Sequence, residues 1–146
     1  MNKNICVIGA GYWGNNHIRT LSKLNALSGV VEVDEKKLKS ILIKYPNVQG
    51  YKNIEDALLE DYDGFIIATP AKTHFKIAKK IIKSGRNSLI EKPLTLSIEE
   101  AEELVYLTEE NNVNVMVGHV LLFHPAIIKI KKMIENGDIG NLQYIY

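Results

Sequence analysis

Three glycines close together restrict this chain more than any other feature. Residues 7–14 read V-I-G-A-G-Y-W-G, an apolar run that breaks into Gly-x-Gly-x-x-Gly at Gly9, Gly11 and Gly14. In such a turn the first glycine permits the tight bend. The second removes the Cβ that would block a pyrophosphate, and the third lets the following helix press on the strand. The helix N-terminus then offers N–H groups and partial positive charge to an anion. Glycine turns also join strands to helices for purely structural reasons, so context decides. Here β-branched Ile5, Val7 and Ile8 come before the turn and an amphipathic segment follows it, as a dinucleotide site requires. Tyr12 and Trp13, inside the motif, either line the pyrophosphate cleft or simply pack.

The rest of the chain alternates in the same way. Apolar runs at 4–8, 29–33, 48–51, 64–68, 88–90 and 113–117 read as strands, with helical patterns at 14–25, 35–44, 54–59, 73–84 and 97–111 between them. Ser97 and Glu100 have the spacing of a capping box, and Ile98, Ala101, Leu104, Val105 and Thr108 form one face of the last of these helices. This order predicts an α/β fold, a doubly wound and mostly parallel Rossmann sheet, over residues 1–124. Residues 125–136 read as a connecting helix with Pro125 in its first turn and Gly137 at its end. A run of β-formers at 142–146 then reads as the first strand of a second domain that the chain lacks, the alternative being an edge strand of the same sheet.

Bulk properties exclude several classes. Eighteen basic and seventeen acidic residues leave a net charge of +1, which gives no footprint for nucleic acid or an anionic membrane. No apolar run reaches the roughly 20 residues of a membrane helix. Lys72, Lys76, Lys79, Lys80 and Lys83 recur at helical spacing and read as a solvated helix face. Cys6, the single cysteine, falls inside the first strand and reads as a buried small hydrophobe. Lys3 leads straight into strand and glycine turn, so a cytoplasmic protein is expected. Of the four histidines only His119 and His124 are near each other, and no cysteine or acid stands at ligand spacing, so no metal is expected.

Candidate chemistry gathers at the carboxyl ends of the predicted strands, where ligands of open α/β sheets bind. Glu32 and Asp34, after Gly29-Val30-Val31, are both candidates for the adenosine ribose, about 20 residues beyond the glycines. On a continuing strand they would share a side. Carboxylates there repel a 2′-phosphate, so NAD is favoured over NADP, with Lys36 and Lys37 as the counter-argument. Thr69-Pro70 ends the fourth strand, Glu91-Lys92-Pro93 the fifth, and His119 follows the sixth. Lys92 has two readings from position alone. It is either a cation that orients a hydroxyl beside a nicotinamide or a loop cation before a turn-making proline.

Taken together, G-A-G-Y-W-G-x-N, the acid after G-V-V, A-T-P with His74 four residues after the proline, E-K-P and V-G-H-V-L-L-F-H-P resemble the Gfo/Idh/MocA oxidoreductases, from Asn4 to Tyr146 in order. E-K-P is that family's most specific mark and decides for the catalytic reading of Lys92. Trp13 with Asn16 and Arg19, and the stretch from Gly118 to Pro125, resemble its sugar-nucleotide branch, whose members oxidise C3 of a UDP-linked N-acetylhexosamine or its uronic acid. The resemblance implies Lys92 and His119 as catalytic residues. It implies Gly9, Gly11, Tyr12, Trp13, Gly14, Glu32, Asp34, Thr69, Pro70, His74, Glu91 and Lys92 around the cofactor. It also implies a second domain that carries the sugar or nucleotide-sugar contacts, and a homo-oligomer. Glu32 replaces a more usual aspartate, and Leu122 stands where many sugar dehydrogenases have arginine, which argues against free-sugar substrates. The rival expectation is a stand-alone NAD-sensing module, in which E-K-P and the Gly118–Pro125 stretch would have no role.

Overall fold

The computed structural model describes residues 3–144. Its six strands are β1 (Ile5–Ile8), β2 (Leu27–Val31), β3 (Gln49–Tyr51), β4 (Gly64–Ile67), β5 (Asn87–Ile90) and β6 (Val115–Val117). They form one sheet in the order β3-β2-β1-β4-β5-β6, with every neighbouring pair parallel. Six helices accompany them: α1 (Tyr12–Lys23), α2 (Glu35–Lys44), α3 (Ile54–Leu58), α4 (His74–Lys83), α5 (Ile98–Glu110) and α6 (Pro125–Glu135).

Successive strand residues face opposite layers. Cys6, Ile8, Val31, Phe65, Ile67 and Ile90 pack under α3, α4 and α5, against Ile54, Ala57, Ala78, Ile81, Ile82, Leu104 and Leu107. Val7, Val30 and Ile66 face the other way, onto Ile18 of α1 and Leu38 and Ile41 of α2. Strands buried on both faces explain why they read as short apolar runs rather than as alternating ones. The strand order reverses between β1 and β4, so the chain leaves their carboxyl ends in opposite directions and opens a crevice there.

Helix starts follow local chemistry. Asp34 caps α2 by accepting from the Lys36 and Lys37 N–H groups, Asn53 caps α3, and Ser97 accepts from Glu100 N–H at 3.2 Å, as its spacing predicts. Pro125 opens α6, where His124 Nδ1 accepts from the Ala126 N–H at 3.2 Å. The exception is α1, which begins at Tyr12, two residues earlier than its sequence pattern suggests, with Gly11 at its N-cap and no side chain capping it.

Two expectations are corrected. On α5 the buried stripe runs through Leu104 and Leu107, while Ile98 and Val105 are exposed. The helix meets α4 on the Leu107 side, so Ile98 and Val105 are turned to the outside. In the tail, Leu142, Gln143 and Tyr144 lie in no strand, and Ile145 and Tyr146 of the expected strand fall outside the described residues. A strand needs a neighbour's N–H and C=O groups, and none of the described strands pairs with 142–144. The 3-10 turn Val120–Phe123 and α6 pack on one another, with Val120 through Phe123, Ile127, Ile128 and Ile130 all exposed.

A chain ending at His124 is therefore expected to melt within a few degrees of the 146-residue chain. It should also self-associate less in light scattering, because an apolar surface has been removed. A drop in melting temperature beyond about 8 °C, the effect of one or two kcal/mol, would show that the tail contributes to the core.

Candidate cofactor and active site

The three motif glycines answer to different demands. Gly9 has φ +89°, and a Cβ there would stand 2.9 Å from the Ala68 carbonyl oxygen and from Thr69 Cγ2. A Cβ on Gly14 would lie 1.8 Å from the carbonyl oxygen of Gly9, closer than any packing allows. These two glycines are required by the protein itself: one for the bend out of β1, the other for the seat of α1 on that bend. Gly11 differs. Its φ of −68° suits any residue, and a Cβ there would meet nothing within 4 Å. The space over Gly11 is open, and the N–H groups at the start of α1 have no intrahelical acceptor, since Asn15 N–H makes the first such bond, to Gly11 O at 3.0 Å. Asn15 also braces the turn, donating from Nδ2 to Ala10 O at 2.7 Å and to Gly11 O at 2.9 Å. A bare cradle before uncapped helix amides fits an anionic pyrophosphate.

Glu32 reaches back to this turn. Its Oε2 accepts from the Ala10 N–H at 2.8 Å and its Oε1 from the Asp34 N–H at 3.0 Å, leaving the residue 8% exposed. A cavity of about 550 Å³ lies beside it, lined by Gly9, Gly11, Glu32, Val33, Lys37, Lys52, Thr69 and Pro70 among others. Asp34 is not among its walls. β2 ends at Val31, so the two acids do not continue a strand side by side, and the Asp34 carboxylate faces its own helix as a cap. Tyr12 and Trp13, in the first turn of α1, stack edge to face with centroids 5.8 Å apart and also lie outside the cavity.

At the end of β5, Glu91 is held from two sides. His17 Nε2 of α1 lies 2.7 Å from Glu91 Oε1, and the Lys92 N–H donates weakly to Oε2 at 3.3 Å. Gly118, after β6, packs so closely on this carboxylate that a Cβ would come within 3.1 Å of it. His74 is 1% exposed and lines neither this cavity nor the next. Its Nδ1 stands 2.8 Å from Pro93 O and its Nε2 2.8 Å from Thr69 O, so it lies beneath the loops that form the site. Thr73 donates from Oγ1 to Thr69 Oγ1 at 2.7 Å and secures the same loop. A second cavity of about 570 Å³ is lined by Lys92, Pro93, Gly118, His119 and the apolar Val120, Leu121 and Leu122. Both Lys92 and His119 are exposed. Burial pushes the Cys6 thiol up to about 12, so it stays a packing group and not a nucleophile.

Of the residues singled out in the sequence, the structure thus gathers Gly9, Gly11, Glu32, Thr69 and Pro70 around one cavity and Lys92 and His119 around another. Asn15, His17 and Thr73 were missed. Each acts through a contact with a residue of the motifs, and His17 meets Glu91 across 74 positions, which no local pattern announces.

A family profile for an oxidoreductase family with an NAD-binding Rossmann fold, GFO_IDH_MocA, matches residues 3–119. The chain belongs to the Gfo/Idh/MocA oxidoreductase family. It is 33% identical over 121 residues to UDP-N-acetylglucosamine 3-dehydrogenase of Acidithiobacillus ferrooxidans, a match covering 83% of this chain and 38% of that protein. It is 29% identical over 141 residues to inositol 2-dehydrogenase of Corynebacterium glutamicum, covering 93% of this chain and 42% of the relative. The chain thus spans about two-fifths of the length of these curated relatives. Among solved structures, WlbA dehydrogenase from Bordetella pertussis, in complex with NADH and UDP-GlcNAcA, superposes with a TM-score of 0.90 at 22% identity, covering 96% of this chain and 44% of WlbA. GenD2 from gentamicin A biosynthesis, in complex with NAD, has a TM-score of 0.88 at 27% identity, covering 94% and 40%. The Gfo/Idh/MocA fold seen here is the NAD-binding domain of that family, and among its described residues no helix is long and apolar enough to cross a membrane.

The glycines should separate in experiment. Gly11→Val is expected to leave the melting temperature nearly unchanged and to remove NADH binding, since the side chain would occupy only ligand space. Gly14→Ala should destabilise the chain by about 1–3 kcal/mol or more through overpacking. Thermal melts with fluorescence titration of NADH check both, and a destabilised Gly11→Val would contradict the division.

Proposed function

We propose that this domain is the cofactor half of an NAD-dependent dehydrogenase that oxidises a ring hydroxyl of a nucleotide-linked sugar, C3 of a UDP-N-acetylhexosamine derivative being the favoured target. The observation that carries the reading is the shared cavity of Lys92 and His119, walled by Leu121 and Leu122, at the ligand end of the sheet. The 33% identity to a UDP-N-acetylglucosamine 3-dehydrogenase supports the substrate class, and Leu122 in place of an arginine argues against free sugars.

The roles follow from position. The glycine turn and the amides at the start of α1 would hold the pyrophosphate. Glu32 would meet the adenosine ribose, and Thr69 and Pro70 the cofactor's edge near β4. A bound nicotinamide supplies a hydride acceptor. Lys92 Nζ would orient the reacting hydroxyl and help to move its proton, with His119 as the neighbouring acid–base group in the same cavity. The remaining substrate contacts would belong to a second domain, toward which α6 leads. That longer protein is expected to act as a homo-oligomer. The exposed apolar side chains of residues 120–123 and α6 support their burial against further protein.

In the full dehydrogenase, Lys92→Ala should lower kcat by about 100-fold or more while the affinity for NAD changes little. A kcat within a few-fold of the parent would return Lys92 to a loop residue. Calorimetric titration should show tighter binding of NAD(H) than of NADP(H), because a carboxylate at the end of β2 would repel a 2′-phosphate. Equal or reversed affinities would mean that Lys37 and Lys52, on the same cavity wall, govern the choice.

A further inference from the structure

Each of the two residues flanking Lys92 is held by a histidine from a different helix. His17, one turn beyond Gly14 in α1, reaches Glu91 Oε1 at 2.7 Å, and both side chains are largely withdrawn from solvent. His74, the first residue of α4, reaches Pro93 O at 2.8 Å and Thr69 O at 2.8 Å. The two helices belong to opposite layers, α1 on one face of the sheet and α4 on the other. The E-K-P turn is therefore gripped from both sides of the sheet, and Lys92 between the grips is left exposed. Glycine at 118 closes the turn's remaining side against the Glu91 carboxylate.

A lysine head rides on a flexible four-carbon stem, so its reach is set mainly by where its backbone stands. A displacement of about 1 Å at a reacting group is enough to cost some 100-fold in rate. We propose that His17 and His74 are positioning residues: together they fix the backbone at Lys92, and His17 ties that position to the same helix whose first turn receives the pyrophosphate. This rests on the reading of Lys92 as the residue at the reacting hydroxyl. A purely packing role would be met by any side chain of suitable volume. Positioning requires a hydrogen-bond donor at one place, near the imidazole Nε2 for His17 and near Nδ1 for His74. Glutamine at 17 and asparagine at 74 keep such a donor, and leucine at either position does not.

The test uses four variants of the 146-residue chain: His17→Gln, His17→Leu, His74→Asn and His74→Leu. Amide NMR shifts of Glu91 and Lys92 report the turn, and NADH fluorescence titration reports the glycine cradle. Both leucine variants are expected to displace the Lys92 amide signal while the Kd for NADH stays within about threefold, and the glutamine and asparagine variants to keep the parent's shift. An unmoved Lys92 signal in the leucine variants, or the same displacement in the donor-keeping ones, overturns the proposal. Should leucine unfold the chain, the donor-keeping variants decide alone, a retained Lys92 shift supporting the anchors and a displaced one overturning them. In the full dehydrogenase, His17→Leu should lower kcat about 10-fold or more with the KM for NAD little changed, and His17→Gln should recover most of it. If Lys92→Ala leaves kcat intact, the role of Lys92 fails, whereas the amide shifts still judge the anchors.

Discussion

Helix α1 can leave β1 as it does only because residue 14 has no side chain. A methyl group there would stand 1.8 Å from the carbonyl oxygen of Gly9, and a close-packed interior has no slack to absorb such an overlap. The approach fixes both the start and the tilt of α1. Its first N–H groups face the crevice where the strand order reverses, and the following turn delivers His17 to Glu91, at the end of a strand two places along the sheet. Shifting α1 outward by the width of one methyl group would loosen the anion cradle and the E-K-P turn together.

The two acids at the ligand edge act first as struts. Glu32 joins the end of β2 to the glycine turn through the Ala10 N–H, and Glu91 joins the end of β5 to α1 through His17. Both contacts are long-range in sequence, 22 positions for Glu32 and 74 for Glu91, so the strand ends are tied to the glycine turn and α1 before any ligand arrives, and little ordering is left for binding to impose.

Much of this was legible in the sequence because the fold is written in local signals. β-branched runs, the caps at Asp34, Asn53 and Ser97, and Pro125 mark elements whose boundaries the structure moves by a residue or two. What was not legible depends on which neighbour an element meets. The α5 periodicity is compatible with several nearby stripes, and only its contact with α4 selects Leu107 over Ile98 and Val105. Glu32 and Asp34 looked equivalent until the strand stopped short of both and α2 took one of them as its cap. His74 was expected at the cofactor because its spacing follows A-T-P, yet it lies beneath the loops and not among their exposed walls. The alternation at 142–146 marks β-formers, but a strand is a property of two segments side by side, and 142–144 belong to no strand of the described sheet.

The open space over Gly11 separates two histories that the motif otherwise mixes. Gly9 and Gly14 are held by the need to fold, whatever the domain does, whereas nothing in the described fold asks for glycine at residue 11. A descendant that had given up its cofactor and survived as a scaffold would be free to drift at residue 11 while keeping its glycines at 9 and 14. Within such a lineage the middle position becomes a fossil marker: its loss dates the abandonment of chemistry, not of structure.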